Sequence, residues 1–111
     1  MFVTTINNVE GLHCWKDAPK HTDYLRNKHR HIFVIECGYS VEKTDREVEI
    51  IESQHKIEQL LKQNFYNDDY NMCDFGNMSC EDICLFLLNK CKEISFVKVT
   101  EDGYGGAYVR R

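Results

Sequence analysis

The strongest constraint in this sequence is the order in which its hydrophobic periods change. Residues 2–15 and 31–41 are rich in β-branched and aromatic side chains with no helical repeat. Two helix-period segments follow, and strand formers return at 95–100 and 107–110. A chain with strands at both ends and helices between them must pair strands that lie far apart in sequence, and its helices are then free to cover one face of the resulting sheet. The expectation is an α+β fold of order β-β-α-α-β-β, a four-stranded antiparallel sheet with both helices on one face.

Local signals place the boundaries. Asp17-Ala18-Pro19 breaks the first strand segment, and the residues leading up to 31 read as a connecting loop. Thr44-x-x-Glu47 has the form of a capping box, and Val48, Ile51, Ile57, Leu60, Leu61 and Phe65 follow at helical spacing, which predicts a helix over 46–65. The polar stretch 66–77 reads as a loop. Ser79-x-x-Asp82 then predicts the cap of a second helix running through Ile83, Leu87 and Cys91. Asp102-Gly103-Tyr104-Gly105-Gly106 joins the last two strands. The second sheet face, with Val34 and several aromatics near it, calls for burial elsewhere, so a homo-oligomer is expected.

Size and composition narrow the function classes. A chain of 111 residues is expected to form one domain over 1–111, and 42% apolar with 29% charged residues is the balance of an ordinary globular protein. Eighteen acidic against fourteen basic side chains leave a formal charge of −4, so no general field attracts a nucleic-acid polymer. The local cluster Arg26, Lys28 and Arg30 can still contact one or two phosphates. No apolar run approaches the roughly 18 residues of a membrane helix, and the first residues lack the pattern of a signal peptide, so a cytoplasmic location and no membrane partner are expected. Six cysteines without a Cys-x-x-Cys pair read as free thiols, with Cys80, Cys84 and Cys91 as small core residues at helical spacing.

The residue types that can carry chemistry gather near the first two strands. His29 and His31 are two positions apart, so on a strand they point to one face, and a neighbouring antiparallel strand can bring in His13. Three imidazoles with an open fourth position match a catalytic zinc geometry, although His-x-His also occurs in solvent-facing loops.

With those residues in place, the sequence resembles the 6-pyruvoyl- and 6-carboxytetrahydropterin synthase family, whose members share the tunnelling fold. That family binds zinc with a His on the first strand and a His-x-His on the second, positions matched by His13, His29 and His31. Val48-Glu49-Ile50 is similar to the start of its first helix, and Met78-Ser79-Cys80-Glu81-Asp82 to the start of its second. Thr100-Glu101 falls where the family ends its third strand on a Glu that grips a heterocycle. His-Cys-Trp-x-Asp-Ala-Pro and Glu-Asp-Gly-x-x-Gly-Ala also resemble small bacterial and phage homologues, which would put a phage-encoded chain in the host cytoplasm. The resemblance implies a tunnelling fold, a zinc cofactor and a pterin-like ligand bound between subunits.

The departures bear on catalysis. Leu25 stands where the bacterial enzymes carry a nucleophilic Cys, and Cys14, next to His13, is expected on the opposite strand face. Asp74 is followed by Phe75 and Gly76 rather than by the His of the family's proton-transfer pair, and His55 lies in the middle of a helix. No catalytic residue is therefore assigned. The expected function is binding of a pterin- or guanine-like molecule, for example sequestration of a guanine-containing nucleotide signal. Glu101 would hold the amino-pyrimidine edge, with Ser79, Trp15, Arg26 and Arg30 as further ligand contacts. Tyr24 and Tyr104 are additional stacking candidates, and Arg110 and Arg111 additional phosphate candidates. The alternative is a zinc-dependent lyase or hydrolase without the usual cysteine, and a plain protein-binding subunit with a vestigial pocket is the third possibility.

Overall fold

The computed structural model describes residues 1–111 as an α+β fold. Strand β1 (Phe2–His13) is followed by a 3-10 segment (Lys20–Arg26), β2 (His29–Ser40) and helix α1 (Ile50–Phe65). Short strands β3 (Tyr66–Asn67) and β4 (Met72–Asp74), helix α2 (Cys80–Lys90), β5 (Phe96–Glu101) and β6 (Gly105–Arg110) complete the chain. The sheet has six strands in the order β3-β4-β1-β2-β5-β6.

The four long strands pair antiparallel, but the sheet as a whole is mixed, which corrects the four-stranded layout expected from sequence. Within the stretch read as a loop, β3 and β4 form a hairpin, and β4 runs parallel to β1 with Gly11 opposite Cys73 and Leu12 opposite Asp74. Strands of two and three residues are too short for alternation to show, and this hairpin is mostly Asn, Asp and Tyr. What holds it is tertiary: Cys73 and Phe75 are buried, and the Phe75 ring lies against Gly11, where a Cβ would come within 2.7 Å of it.

Register explains where the core sits. β1 and β2 pair along their full length, from Phe2 opposite Ser40 to His13 opposite His29, and Val97 and Val99 of β5 lie opposite Cys37 and Ile35. Odd-numbered residues of these strands therefore share one face. That face packs against Ile57 and Leu61 of α1 and Ile83, Cys84, Leu87 and Leu88 of α2 in a single cluster that includes Phe33, Ile35, Cys37, Val97 and Val99. The even face carries Phe2, Ile6, Val34, Phe96 and Tyr108, with Phe2, Ile6 and Tyr108 exposed. The Phe96 ring covers Gly38 and touches both Phe2 and Tyr108, so an aromatic strip with rings from β1, β5 and β6 crosses four strands on the side that neither α-helix covers. All six cysteines are free thiols; five are buried, and Cys91 is half-buried at the end of α2.

The two caps divide. Ser79 and Asp82 form a full capping box at α2, each side chain accepting from the other residue's backbone N–H. Thr44-x-x-Glu47 caps nothing: α1 starts at Ile50, and the Glu49 carboxylate accepts from the Glu52 amide at 2.6 Å. Arg46 sits in the left-handed region (φ 57°), which interrupts any helix there, and the Glu47 carboxylate turns back to the amide of Lys43. Ser79→Ala is expected to destabilise the protein by about 1 kcal/mol in urea unfolding, and Thr44→Ala by less than about 0.5 kcal/mol. Equal losses from the two would mean that the cap positions are wrong.

Candidate metal centre and ligand cleft

Strand alternation and register bring the three histidines together. His13 ends β1 directly opposite His29 at the start of β2, and His31 faces Gly11 one step further along the same face. Ring centroids are 4.5 Å apart for His13 and His29, 5.2 Å for His13 and His31, and 5.0 Å for His29 and His31. One ligating nitrogen from each lies within 4.8 Å of the other two. Tetrahedral zinc with bonds of about 2.0–2.1 Å sets its nitrogens roughly 3.4 Å apart, so no pair would have to close by more than about 1.4 Å.

Hydrogen bonding decides which nitrogens face inward. His13 Nδ1 is 2.9 Å from the Met78 carbonyl oxygen, His29 Nδ1 is 2.9 Å from the Asn27 carbonyl oxygen, and His31 Nδ1 is 2.7 Å from Asp102 Oδ2. Oxygens of these kinds only accept, so each Nδ1 donates and each neutral ring keeps its lone pair on Nε2. Metal-binding imidazoles are held in this way, with the second nitrogen tied to a carbonyl or carboxylate.

His13 adds a second sign. It is 7% exposed, and its Nε2 is buried without a hydrogen-bond partner. Glu101 Oε2 is 3.0 Å from that nitrogen, and Oε1 is 3.7 Å from His31 Nε2. With Nδ1 already donating, the short contact is a meeting of two acceptors rather than a hydrogen bond. A cation or a proton between them resolves it. The residues present therefore fit zinc: an all-imidazole donor set, an orphaned buried nitrogen and a carboxylate on the remaining side.

His13, His29 and Glu101 open onto a cleft of about 520 Å³, whose walls also include Trp15, Leu25, Ser79, Cys80 and Gly105; His31 is not part of its lining and approaches Glu101 Oε1 at 3.7 Å. Trp15 is 48% exposed, and Glu101 keeps 36% of its side chain open, so a flat ring has an indole surface and a carboxylate in reach. Ser79 lines the cleft, but its hydroxyl oxygen is engaged with the Asp82 amide as the α2 cap. Cys14 lies just past the end of β1, so strand alternation does not apply to it; its amide bonds to the Gly76 carbonyl and it too lines the cleft, contrary to the opposite-face expectation. Cys80 is a poor nucleophile, because burial and then the Glu101 charge push its thiol up to about 12.

The basic residues expected on ligand phosphates are mostly committed elsewhere. Arg26 Nε donates to the Ala18 carbonyl, and Lys28 pairs with Asp74 at 2.5 Å. Arg30 lies on the even face, bonded to Glu10 across the β1–β2 ladder. Arg111 donates to the carbonyls of Ile94, Leu88 and Cys91, closing the C-terminal end of α2, and Arg110 pairs with Phe96 at the far end of the sheet. Neither Arg26 nor Arg30 is among the residues lining the cleft. Tyr24 and Tyr104 are exposed outside it. The site members that sequence inspection missed are the Met78 and Asn27 carbonyls, which carry no side-chain signal, and Asp102, whose place in an Asp-Gly turn reads as turn chemistry alone.

Burial lowers the proton affinity of His13 below the ordinary imidazole value of 6.5, partly offset by the Met78 carbonyl and the Glu101 carboxylate. The unfolded chain then takes up this proton first as the pH falls. Stability linked to neutral His13 is fully present above about pH 6.5 and is lost as the pH drops through the lowered folded value. Chelator-treated protein should lose unfolding free energy between about pH 7 and 5, and His13→Gln should flatten that slope. An unchanged slope in the variant would assign the pH dependence to other groups. In comparisons with known proteins, the sequence matches no family model and no curated relative.

Proposed function

We propose that this chain binds a flat amino-pyrimidine heterocycle of the pterin or guanine type in the cleft beside a zinc held by His13, His29 and His31. The observation that carries this reading is the meeting of three clustered imidazoles with the half-open Glu101 carboxylate, at a cleft lined by His13, His29 and Glu101. A carboxylate accepts two parallel hydrogen bonds, which suits a ring N–H beside an exocyclic amine. The engaged arginines favour recognition of the base over recognition of a phosphate tail.

In this reading the chain is a divergent tunnelling-fold relative of the pyruvoyl- and carboxytetrahydropterin synthases. The uncovered even face, with Phe2, Ile6 and Tyr108 exposed, supports assembly into a homo-oligomer, since an exposed apolar sheet face and open sheet edges favour association. A monodisperse monomer by light scattering at micromolar concentration would count against that assembly.

A second reading, a zinc-dependent lyase or hydrolase, is favoured by one further feature: all three Nδ1 atoms are tied down, as in sites built for metal chemistry. Bound zinc would supply Lewis acidity there. The chain's own contribution would be Glu101, within 3.0 Å of the His13 nitrogen and placed to take or return a proton. Cys80, held as a thiol, would not be the nucleophile.

Protein purified without added metal should carry stoichiometric zinc, and His29→Ala should lose it. Calorimetry with a panel of pterins and guanine compounds should show binding that Glu101→Gln weakens by about thirtyfold to a thousandfold, or about 2–4 kcal/mol, because one acceptor oxygen becomes a donor facing an N–H. Gly105 offers an independent probe, since a Cβ there meets nothing within 4 Å and the residue lines the cleft. Gly105→Leu should block the heterocycle and leave zinc in place. Heterocycle binding that survives both substitutions would move the ligand out of this cleft, and turnover of a panel compound that requires zinc would decide for the enzyme.

A further inference from the structure

Asp102 belongs to none of the groups so far assigned a ligand, yet it is tied to β2 by more bonds than any other residue of the β5–β6 turn. Its backbone N–H donates to the Ile32 carbonyl at 2.8 Å. Its carboxylate accepts from the Ile32 amide through Oδ1 at 2.8 Å and from His31 Nδ1 through Oδ2 at 2.7 Å. The residue sits at φ 55°, a left-handed conformation that Asp and Asn tolerate better than other side chains, so the turn is bent to deliver this carboxylate. Of the three histidines, His31 alone has its Nδ1 on a side chain; His13 and His29 rest on backbone carbonyls.

We propose that Asp102 is the positioning residue of the metal centre, holding His31 as the tautomer whose Nε2 lone pair is left for the cluster it forms with His13, His29 and Glu101, and thereby setting the affinity for zinc. This rests on the metal reading above. The physical reason is acceptor count. Two donors, the Ile32 N–H and the His31 Nδ1–H, converge on one side chain, and a carboxylate satisfies both. An amide in the same place satisfies only one. Asn at 102 would keep its oxygen on the Ile32 amide and turn its NH₂ toward His31, where a donor faces a donor. The ring would then move its proton to Nε2, accept on Nδ1 and withdraw its lone pair from the metal centre. Backbone carbonyls cannot be exchanged in this way, so of the three anchors only Asp102 is open to mutation. The same bonds hold the turn that follows Glu101, so His31 and Glu101 are fixed by one residue.

Asp102→Asn is the test, since it preserves volume and tolerates the left-handed backbone. Long-range ¹H–¹⁵N spectra of the chelator-treated protein at about pH 8.5, above the ordinary imidazole range, read the His31 tautomer directly. Wild type should carry the proton on Nδ1 and the variant on Nε2, with His13 and His29 unchanged as internal controls. Competition with a chromophoric chelator should then show zinc held roughly 10–100-fold more weakly by the variant, and the same substitution in a His31→Ala background should add nothing. A melting temperature of the metal-free variant close to wild type separates this effect from a general loss of fold. The proposal is overturned if His31 keeps the same tautomer in both proteins, or if the tautomer switches and zinc affinity does not. Wild type that binds no zinc, with the tautomer still switching, would instead remove the metal reading and leave the Asp102–His31 coupling standing.

Discussion

The pairing of β1 with β2 is the contact on which the rest of the molecule depends. Its register runs unbroken from Phe2 opposite Ser40 to His13 opposite His29. Because side chains alternate with period two, that single register puts Val9, Phe33, Ile35 and Cys37 on the face that the helices cover and places His13, His29 and His31 at the end of the same face. A slip of one residue would turn Phe33 and Ile35 to the uncovered side and separate His13 from the other two histidines. Core formation and assembly of the imidazole cluster are therefore one event, and the apolar burial that stabilises the sheet also specifies the site.

The site lies where regular structure ends. β1 stops at His13, β2 begins at His29, β5 stops at Glu101 and α2 begins just after Ser79. At such ends, backbone groups are no longer consumed by ladders, and two of them, the Met78 and Asn27 carbonyls, are used to orient histidines. Phe33 packs edge-on against both His13 and His31 and against Phe75, so the floor of the cluster is aromatic and closely filled. Imidazoles that stand on a packed floor with one nitrogen already bonded lose little freedom when a ligand arrives, which favours binding. The polar side of the cleft is correspondingly economical: one carboxylate faces the nitrogens and a second holds one ring from behind.

Charged groups elsewhere serve the fold. Arg111 satisfies carbonyls at the C-terminal end of α2, which otherwise have no partner in the helix, and Arg26 and Lys28 hold the connection between β1 and β2. Arg30 and Glu10 pair across two strands on the open face. A basic cluster visible in the sequence thus becomes a set of separate structural contacts once the chain is folded, because Arg26 ends the 3-10 segment, Lys28 lies in the link before β2 and only Arg30 belongs to the strand.

The sequence by itself determined the α+β class, the two long helices, the four long strands and the candidacy of His13, His29, His31 and Glu101. Apart from Glu101, which is singled out by the resemblance to the pterin synthases, each of these rests on a local period or a residue type that survives without knowledge of the fold. The Ser79–Asp82 cap was legible for the same reason, while Thr44 and Glu47, identical in spacing, were not a cap because Arg46 adopts a left-handed turn that only the surrounding loop dictates. Tertiary structure alone decided the β3–β4 hairpin, the placement of Cys14 in the cleft and the removal of Arg26 and Arg30 from it. It also decided that Asp102 stands behind His31. These depend on contacts between residues up to 71 positions apart and on backbone carbonyls that have no letter of their own, so no local pattern can encode them.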